Sequence, residues 1–158
     1  MTQPSPAARA LSSLVLPVSE LQAEFLYAAE AVAERHGLTP ARWQVLGAAI
    51  ARPQSVADIA RGLGLARQSV QRVADDVVTA GWATWEANPR HARAKLLVPT
   101  PAGRQVNEAT TRDQFAWAHE VGSRLDPHDV AALRGLMERV TAVSRAYWDE
   151  VEGITPPA

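Results

Sequence analysis

The sequence predicts a mainly α-helical fold with one small β-hairpin, and three observations lead to this prediction. Apolar residues recur at helical spacing over most of the 158 residues. Helix-start pairs and glycines divide these periodic stretches into six helices. Two short runs, 83–87 and 94–98, are typical of strands, and the polar loop 88–93 joins them.

The first two helices are predicted over about 7–35 and 40–51. Pro17 lies inside the first stretch, and because it lacks an N–H it should kink or break that helix. Thr39 followed by Pro40 is typical of a helix N-cap and first residue.

The stretch from Ser55 to Gly81 predicts a short helix, a tight turn and a second helix. Ser55 followed by Asp58 matches the Ser-x-x-acid pattern of a helix start. Gly64 ends the short helix, and the second helix covers about 66–80. This is a helix-turn-helix candidate, and the hairpin that follows makes it a winged one.

Two long helices are predicted near the C-terminus, over about 101–125 and 127–151. Thr100-Pro101 and Asp126-Pro127 supply their starts. The last helix carries an apolar stripe, as the first helix does. A small winged segment cannot cover both stripes, so another surface is needed to bury them.

The formal net charge of −1 conceals an uneven distribution. Residues 52–104 hold eight basic and four acidic side chains, a net charge of +4, and the remaining residues carry −5. Of the sixteen basic residues all are Arg except Lys95. A locally basic module is what a duplex backbone requires, so nucleic acid remains a possible partner.

Several function classes find no support in the sequence. The absence of cysteine excludes disulfides, thiolate metal sites and cysteine nucleophiles. The four histidines lack metal-ligand spacing, and there is no Gly-x-Ser-x-Gly or phosphate-binding glycine loop. The adjacent acids Asp75 and Asp76 are expected to be solvated. No enzyme activity, cofactor or metal is expected.

No membrane span or secretory signal is evident, so a cytoplasmic protein is expected.

Six sequence blocks, in this order and at this spacing, resemble the MarR-type winged helix-turn-helix transcriptional regulators over nearly the whole chain. They are LTPARWQVL (38–46), SVADIA (55–60), QSVQRVADD (68–76), GW (81–82), NPRHARAK (88–95) and LVPTPAGR (97–104).

Two wing positions depart from the family pattern. His91 stands where an acidic residue usually precedes Arg93 by two positions, and Ala92 stands where Arg is frequent. The pairing that orients Arg93 is therefore missing, and His91 could contact the phosphate or groove instead.

The resemblance implies a DNA-binding module over 37–104, between dimerisation helices over 1–36 and 105–158. The start of the second helix of such a module enters the major groove, where Arg and Gln can read guanine and adenine. Wing-tip Arg can enter the minor groove. Ser55 is expected to cap its helix and could also bind phosphate. The candidate DNA-binding residues are Ser55, Arg67, Gln68, Ser69, Gln71, Arg72, Arg90, His91, Arg93 and Lys95. The alternative is that these residues form only a solvated polar helix face and a solvated turn, without contacts to DNA.

The resemblance also implies a homodimer on a pseudo-palindromic operator, acting as a repressor. The candidate interface residues are Leu11, Leu14, Val15, Leu133, Val140 and Tyr147. A small aromatic or anionic effector could bind near Tyr27, His36, Arg42, Trp43 and Trp117, although aromatics at helical spacing are more often core. The alternatives are a winged-helix module that binds protein or RNA, and a small metal-free enzyme in the dimer cleft.

Overall fold

The computed structural model describes residues 3–91 and 93–152, and it confirms a mainly α-helical fold with a small sheet. The elements in chain order are α1 (Pro6–Ser13), α2 (Val15–Glu34), α3 (Pro40–Ala51), β1 (Gln54–Ser55), α4 (Val56–Leu63), α5 (Arg67–Thr79), β2 (Ala83–Glu86), β3 (Leu96–Pro99), α6 (Pro101–Gly122) and α7 (Pro127–Glu152). Helices α4 and α5 with the turn between them form the helix-turn-helix, and β2 and β3 flank the wing.

The predicted N-terminal helix is two helices, and the break lies earlier than Pro17. Leu14 separates α1 from α2, and its N–H donates to the carbonyl of Leu11 at 3.1 Å. Pro17 is the third residue of α2. Since the first N–H groups of a helix have no acceptor within the helix, a proline costs little there. The break thus places the proline in the first turn of the new helix.

The sheet has three antiparallel strands in the order β1-β3-β2, one more than predicted. The additional strand, β1, pairs Gln54 with Leu97 and Ser55 with Leu96. Strand β3 begins at Leu96 rather than at the predicted position 94. A two-residue strand carries no sequence periodicity, so only the tertiary fold creates it. Its effect is to hold the start of α4 against the base of the wing.

One hydrophobic core lies beneath the helix-turn-helix and the sheet. Its fully buried side chains come from α3, α4, α5 and β3, with Leu46, Ile59, Val77 and Leu97 among them. On α5 the apolar side turns inward, as predicted: Val70 and Val77 are buried, and Val73 and Val78 are half-buried. The core therefore fixes which side of α5 faces outward.

A glycine contact joins α6 to the base of the wing. A Cβ on Gly103 would lie 1.9 Å from the carbonyl oxygen of Trp82, so only glycine permits this approach. The Thr100 hydroxyl caps α6 by accepting from the N–H of Gly103 at 3.1 Å, and it donates to the carbonyl of Gly81 at 2.8 Å. The long helix is thereby anchored to the winged module.

The terminal helices leave much apolar surface uncovered in the single chain. Along α7, every residue of 127–151 except Gly135 is exposed. Helices α1 and α2 with α7 form a groove of about 760 Å³ lined by Leu11, Leu14, Val15, Val18, Leu136, Arg139, Val140, Val143, Ser144, Tyr147 and Trp148. None of the described helices combines the length and hydropathy needed to cross a membrane.

Candidate nucleic-acid interface

Helix α5 presents the predicted base-reading side chains on its outer face. Ala66 precedes it in an extended conformation, and the helix begins at Arg67. All five predicted residues are exposed, while the opposite side is anchored in the core. These residues are Arg67, Gln68, Ser69, Gln71 and Arg72.

A concave cleft of about 320 Å³ lies between α5 and the wing. It brings together five of the predicted residues from three separate parts of the chain. Its lining residues are Ser55, Val56, Ala57, Arg67, Gln71, Trp85, Arg93, Ala94 and Lys95. Gln68, Ser69 and Arg72 lie on the exposed side of α5 but do not line this cleft.

Trp85 is a cleft residue that was not among the predicted site residues. It is half-buried on β2, where burial alternates from Ala83 through Glu86. Its backbone is paired with Leu97 of the central strand. The alternation of β2 was the available signal, because a large aromatic at an inward position must face either core or cleft.

The cations of the cleft are available to bind anions. Within residues 3–91 and 93–152, Arg67, Arg93 and Lys95 form no ion pair, whereas Arg61 is paired with Asp58 at 3.1 Å. Three unpaired cations around one concavity give it a positive potential. The cleft can therefore accept a polyanion.

Ser55 is confirmed as the cap of α4, and its hydroxyl both accepts and donates a hydrogen bond. It accepts from the N–H of Asp58 at 3.3 Å and donates to the Asp58 carboxylate at 2.7 Å. This hydrogen bond, together with Arg61, holds the pKa of Asp58 below its ordinary value. A phosphate contact at this helix start therefore falls to backbone N–H groups rather than to the hydroxyl, and stays a prediction.

The wing loop divides its predicted contacts between two sides. Arg93 and Lys95 face the cleft beside α5, whereas Arg90 lines a second cleft of about 580 Å³ with Arg52, Pro53, Gln54, Asp58, Asn88, Pro89 and Leu96. Asn88 shapes the turn, since its side-chain oxygen accepts from the N–H of Arg90 at 2.9 Å. His91 is exposed, and Ala92 lies outside the described residues.

Both acids of the Asp75-Asp76 pair are accessible to solvent, as expected, and each also has a side-chain partner. The amide nitrogen of Gln71 donates to both carboxylate oxygens of Asp75 at 3.1 Å. Asp76 lies 3.4 Å from the guanidinium of Arg42, which joins α3 to α5. Neighbouring residues on a helix point in different directions, so the two acids serve different contacts.

The residues predicted to bind an effector mostly have partners within the chain. His36 lies 3.0 Å from Asp113 of α6, and Arg42 faces Asp76. Trp117 packs edge-on against Phe25, with ring centroids 5.9 Å apart. Trp43 is half-buried, whereas Tyr27 is 71% exposed. Their part in ligand binding stays a prediction.

The predicted interface residues are all exposed in the single chain. Five of them line the large groove described above: Leu11, Leu14, Val15, Val140 and Tyr147. Leu133 lines a neighbouring groove of about 590 Å³, with Leu21, Phe25, Val130, Arg134, Met137, Glu138, Thr141, Ala142 and Arg145. The residues thus occupy one continuous side of the terminal helices.

Comparison with known structures finds the same fold in several regulators. The MarR family transcription regulator SP03579 aligns with a TM-score of 0.83 at 22% identity, covering 90% of this chain and 95% of that one. A mutant MarR from Escherichia coli complexed with operator DNA aligns with a TM-score of 0.75 at 20% identity, covering 86% of this chain and 99% of that one. CouR from Rhodococcus jostii RHA1 bound to p-coumaroyl-CoA aligns with a TM-score of 0.68 at 18% identity, covering 78% of this chain and 87% of that one.

Sequence comparison gives a family and a similar protein. A model of the MarR family matches residues 36–94, which span the helix-turn-helix and most of the wing. The uncharacterized protein Rv2011c of Mycobacterium tuberculosis is 38% identical over 136 residues, covering 86% of this chain and 95% of its own. With the winged architecture that surrounds it, the match over residues 36–94 shows that the chain belongs to the MarR family.

Proposed function

We propose that the protein is a homodimeric, cytoplasmic repressor that binds a pseudo-palindromic DNA operator sequence-specifically. One observation carries the proposal: three unpaired cations and a glutamine from α5 and the wing converge on a single cleft. Helix α5 would enter the major groove and the wing would track the adjacent backbone or minor groove. Repression would follow from blocking access of the polymerase to the promoter.

The contacts divide into two kinds. Arg67, Gln68, Gln71 and Arg72 would read base edges, because their amide and guanidinium groups suit adenine and guanine. Arg93 and Lys95 would bind phosphates or the narrow groove and supply most of the salt-dependent affinity. Ser69 would reach either base or phosphate, and Arg90 and His91 would extend the wing contact.

A second copy of the chain would cover the exposed apolar grooves. The two grooves share α7 and α2, so one partner surface can fill both. Uncovered apolar surface of this extent is unusual for a monomer. A two-fold arrangement would place two α5 helices about one duplex turn apart.

An aromatic or anionic effector would act through the contacts between helices. Arg42 links α3 to Asp76 on α5, so an anion that takes the guanidinium would free the reading helix from this link. The effector must favour a conformation that does not fit DNA. A 100-fold relief of repression requires a difference of about 2.7 kcal/mol between the two states.

A selection from randomised duplex DNA tests the proposal. The purified protein should enrich one pseudo-palindromic sequence, and its affinity should fall steeply with salt. The variant Arg67→Ala should lose this enrichment, whereas Arg124→Ala, just beyond the end of α6, should retain it. Enrichment of single-stranded RNA in a parallel pool, with no enriched duplex, would favour an RNA-binding module instead. Failure of both pools would point to a protein partner.

A further inference from the structure

The wing has a cleft on each of its two sides. We call the cleft that contains Arg67 and Lys95 the inner cleft, and the cleft of about 580 Å³ that contains Arg52 and Arg90 the outer cleft. Neighbouring residues divide between them, since Lys95 lines the inner cleft and Leu96 lines the outer one. Extended backbone produces this division, because successive side chains point to opposite faces. The inner cleft alone therefore does not account for the surface of the wing.

Two arginines bring positive charge to the outer cleft from separate parts of the chain. Arg52 directly follows the last residue of α3, and Arg90 belongs to the wing loop. Both are exposed, and neither forms an ion pair within residues 3–91 and 93–152. A guanidinium can donate two parallel hydrogen bonds to a phosphate. The outer cleft thus offers two donors of the type that phosphates favour.

Asp58 is the acid among the lining residues of the outer cleft, and its charge is already compensated. One of its carboxylate oxygens accepts from the Arg61 guanidinium at 3.1 Å. The other accepts from the Ser55 hydroxyl at 2.7 Å. Because both oxygens have donors of their own, Asp58 leaves Arg52 and Arg90 available. The potential of the outer cleft is therefore positive.

The backbone that carries Arg52 is fixed to the winged module. The side-chain nitrogen of the nearby Gln54 donates to the carbonyl of Ala48 at 2.7 Å, and β1 pairs Gln54 with Leu97 of the central strand. Arg52 itself is extended, with φ −164° and ψ 148°. The fold therefore sets the place of Arg52 beside the wing, while its side chain remains free to reach a ligand.

The shape of a duplex supplies a ligand for both sides of the wing. The minor groove is about 6 Å wide, and a sugar-phosphate backbone borders it on each side. A wing that enters this groove turns one side toward each strand. Because the inner cleft is shared with α5, which would occupy the adjoining major groove, it would face the strand between the two grooves. The outer cleft would then face the other strand.

We propose that the outer cleft is a second phosphate-binding site, in which Arg52 and Arg90 bind the strand that lies across the minor groove from the inner cleft. This inference rests on the proposed DNA-binding function. It adds Arg52, which was not among the predicted DNA-binding residues, and it gives Arg90 a strand of its own.

Binding of the enriched duplex at several salt concentrations tests the charge of the outer cleft. We expect Arg52→Ala to weaken binding about tenfold and to lower the slope of log affinity against log salt by about one for each half-site. Arg52→Lys keeps the charge and should keep the slope. The matched control is Arg112→Ala, an exposed arginine of α6 that lines neither cleft and should change neither quantity.

Neutral phosphates identify the strand that each cleft binds. Methylphosphonates replace single phosphates, one position at a time, along both strands of the half-site. A phosphate bound by Arg52 should cost affinity when it is neutralised in the wild type, and much less in Arg52→Ala, because that contact is already lost. Arg90→Ala should couple to phosphates of the same strand. Lys95→Ala should couple to phosphates of the opposite strand.

The outcomes separate this inference from the proposed function. An enriched duplex that Arg52→Ala binds with wild-type affinity and salt slope would overturn the inference and leave the proposed function standing. So would coupling of Arg52 and Lys95 to the same strand, or the absence of phosphate coupling for either residue. A wild-type pool with no enriched duplex would overturn the proposed function, and this inference with it.

Discussion

In the proposed complex, Arg93 is the wing residue expected to contribute most to DNA binding. It faces the cleft beside α5 and has no acidic partner within the described part of the chain. We expect Arg93→Ala to weaken binding to all duplexes alike and to reduce the slope of log affinity against log salt by about one. Fluorescence anisotropy with a labelled duplex at several salt concentrations measures both quantities.

The matched control for Arg93 is Arg124→Ala. Arg124 is 74% exposed and is paired with Glu120 near the end of α6, far along the chain from the reading face. Its loss should leave affinity and salt slope unchanged. If Arg93→Ala behaves like this control, Arg93 makes no electrostatic contact with DNA.

Ser55 sets the ionisation of Asp58 at the start of α4. Its hydroxyl donates to the Asp58 carboxylate, which holds the pKa of that group below its ordinary value. The stabilisation from this contact is complete above the unfolded-state pKa, and it is lost as pH falls through the lower folded-state value. Acid should therefore weaken the attachment of the helix start.

We expect Ser55→Ala to raise the pKa of Asp58 toward about 3.8, its ordinary value. Loss of the cap should also lower the free energy of unfolding by about 1 kcal/mol. A carboxyl NMR titration measures the pKa, and urea denaturation measures the stability. Ser55→Thr keeps the hydroxyl and should keep the low pKa. An unchanged Asp58 titration in Ser55→Ala would mean that Arg61 alone lowers it.

Helix α6 depends on a glycine for its junction with the wing. A methyl group at Gly103 would meet the Trp82 carbonyl at 1.9 Å, where backbone rather than a flexible side chain must shift. We expect Gly103→Ala to lower the free energy of unfolding by about 1–3 kcal/mol. Gly62→Ala is the control, since α4 has open space at that position. It should stabilise the protein by about 0.5–1 kcal/mol. Equal thermal unfolding of both variants would refute the close contact.

The elements that carry their own local signals were predicted correctly. Thr39, Ser55 and Thr100 each cap a helix as expected, because a capping side chain and its helix are neighbours in the sequence. Strand β1 was missed, since two residues have no period and pair with β3 only after the chain folds back. The break at Leu14 was misplaced by three residues, because proline is tolerated within the first turn.

The site shows the same division between local and tertiary information. The exposed face of α5 follows from helical spacing, so the exposure of its five candidate residues was predicted together. Trp85 lines the cleft together with residues that are distant in the sequence, and Arg42 is paired with Asp76 of another helix. Neither arrangement follows from local spacing. The contact of Gln71 with Asp75 is different, since its i,i+4 spacing was visible in the sequence. A search for polar partners along α5 could have found it.

The basic and acidic segments of the chain coincide with two different surfaces. The basic segment 52–104 includes α5 and the wing, whereas the acidic remainder includes the terminal helices. In a two-fold dimer joined through those helices, both basic modules can face one duplex while the acidic parts point away. Electrostatic steering would then favour the orientation that permits reading.

Assembly and operator binding are expected to be coupled through the large apolar groove. Val140 and Leu14 line opposite walls of the large apolar groove and are 41% and 45% exposed. We expect Val140→Glu and Leu14→Glu to fold as monomers, because a carboxylate cannot be buried against a partner without a large desolvation cost. Sedimentation velocity at micromolar concentration should show a dimer for the wild type and a monomer for both variants.

Each monomeric variant keeps its own reading face but loses the link between two half-sites. Affinity for the full pseudo-palindrome should therefore fall about 10²–10⁴-fold, while affinity for an isolated half-site stays unchanged. Gln44→Glu adds the same charge to an exposed position of α3 outside both grooves, so it should remain dimeric and bind normally. A variant that becomes monomeric and still binds the full site with wild-type affinity would separate dimerisation from recognition and contradict the two-fold arrangement.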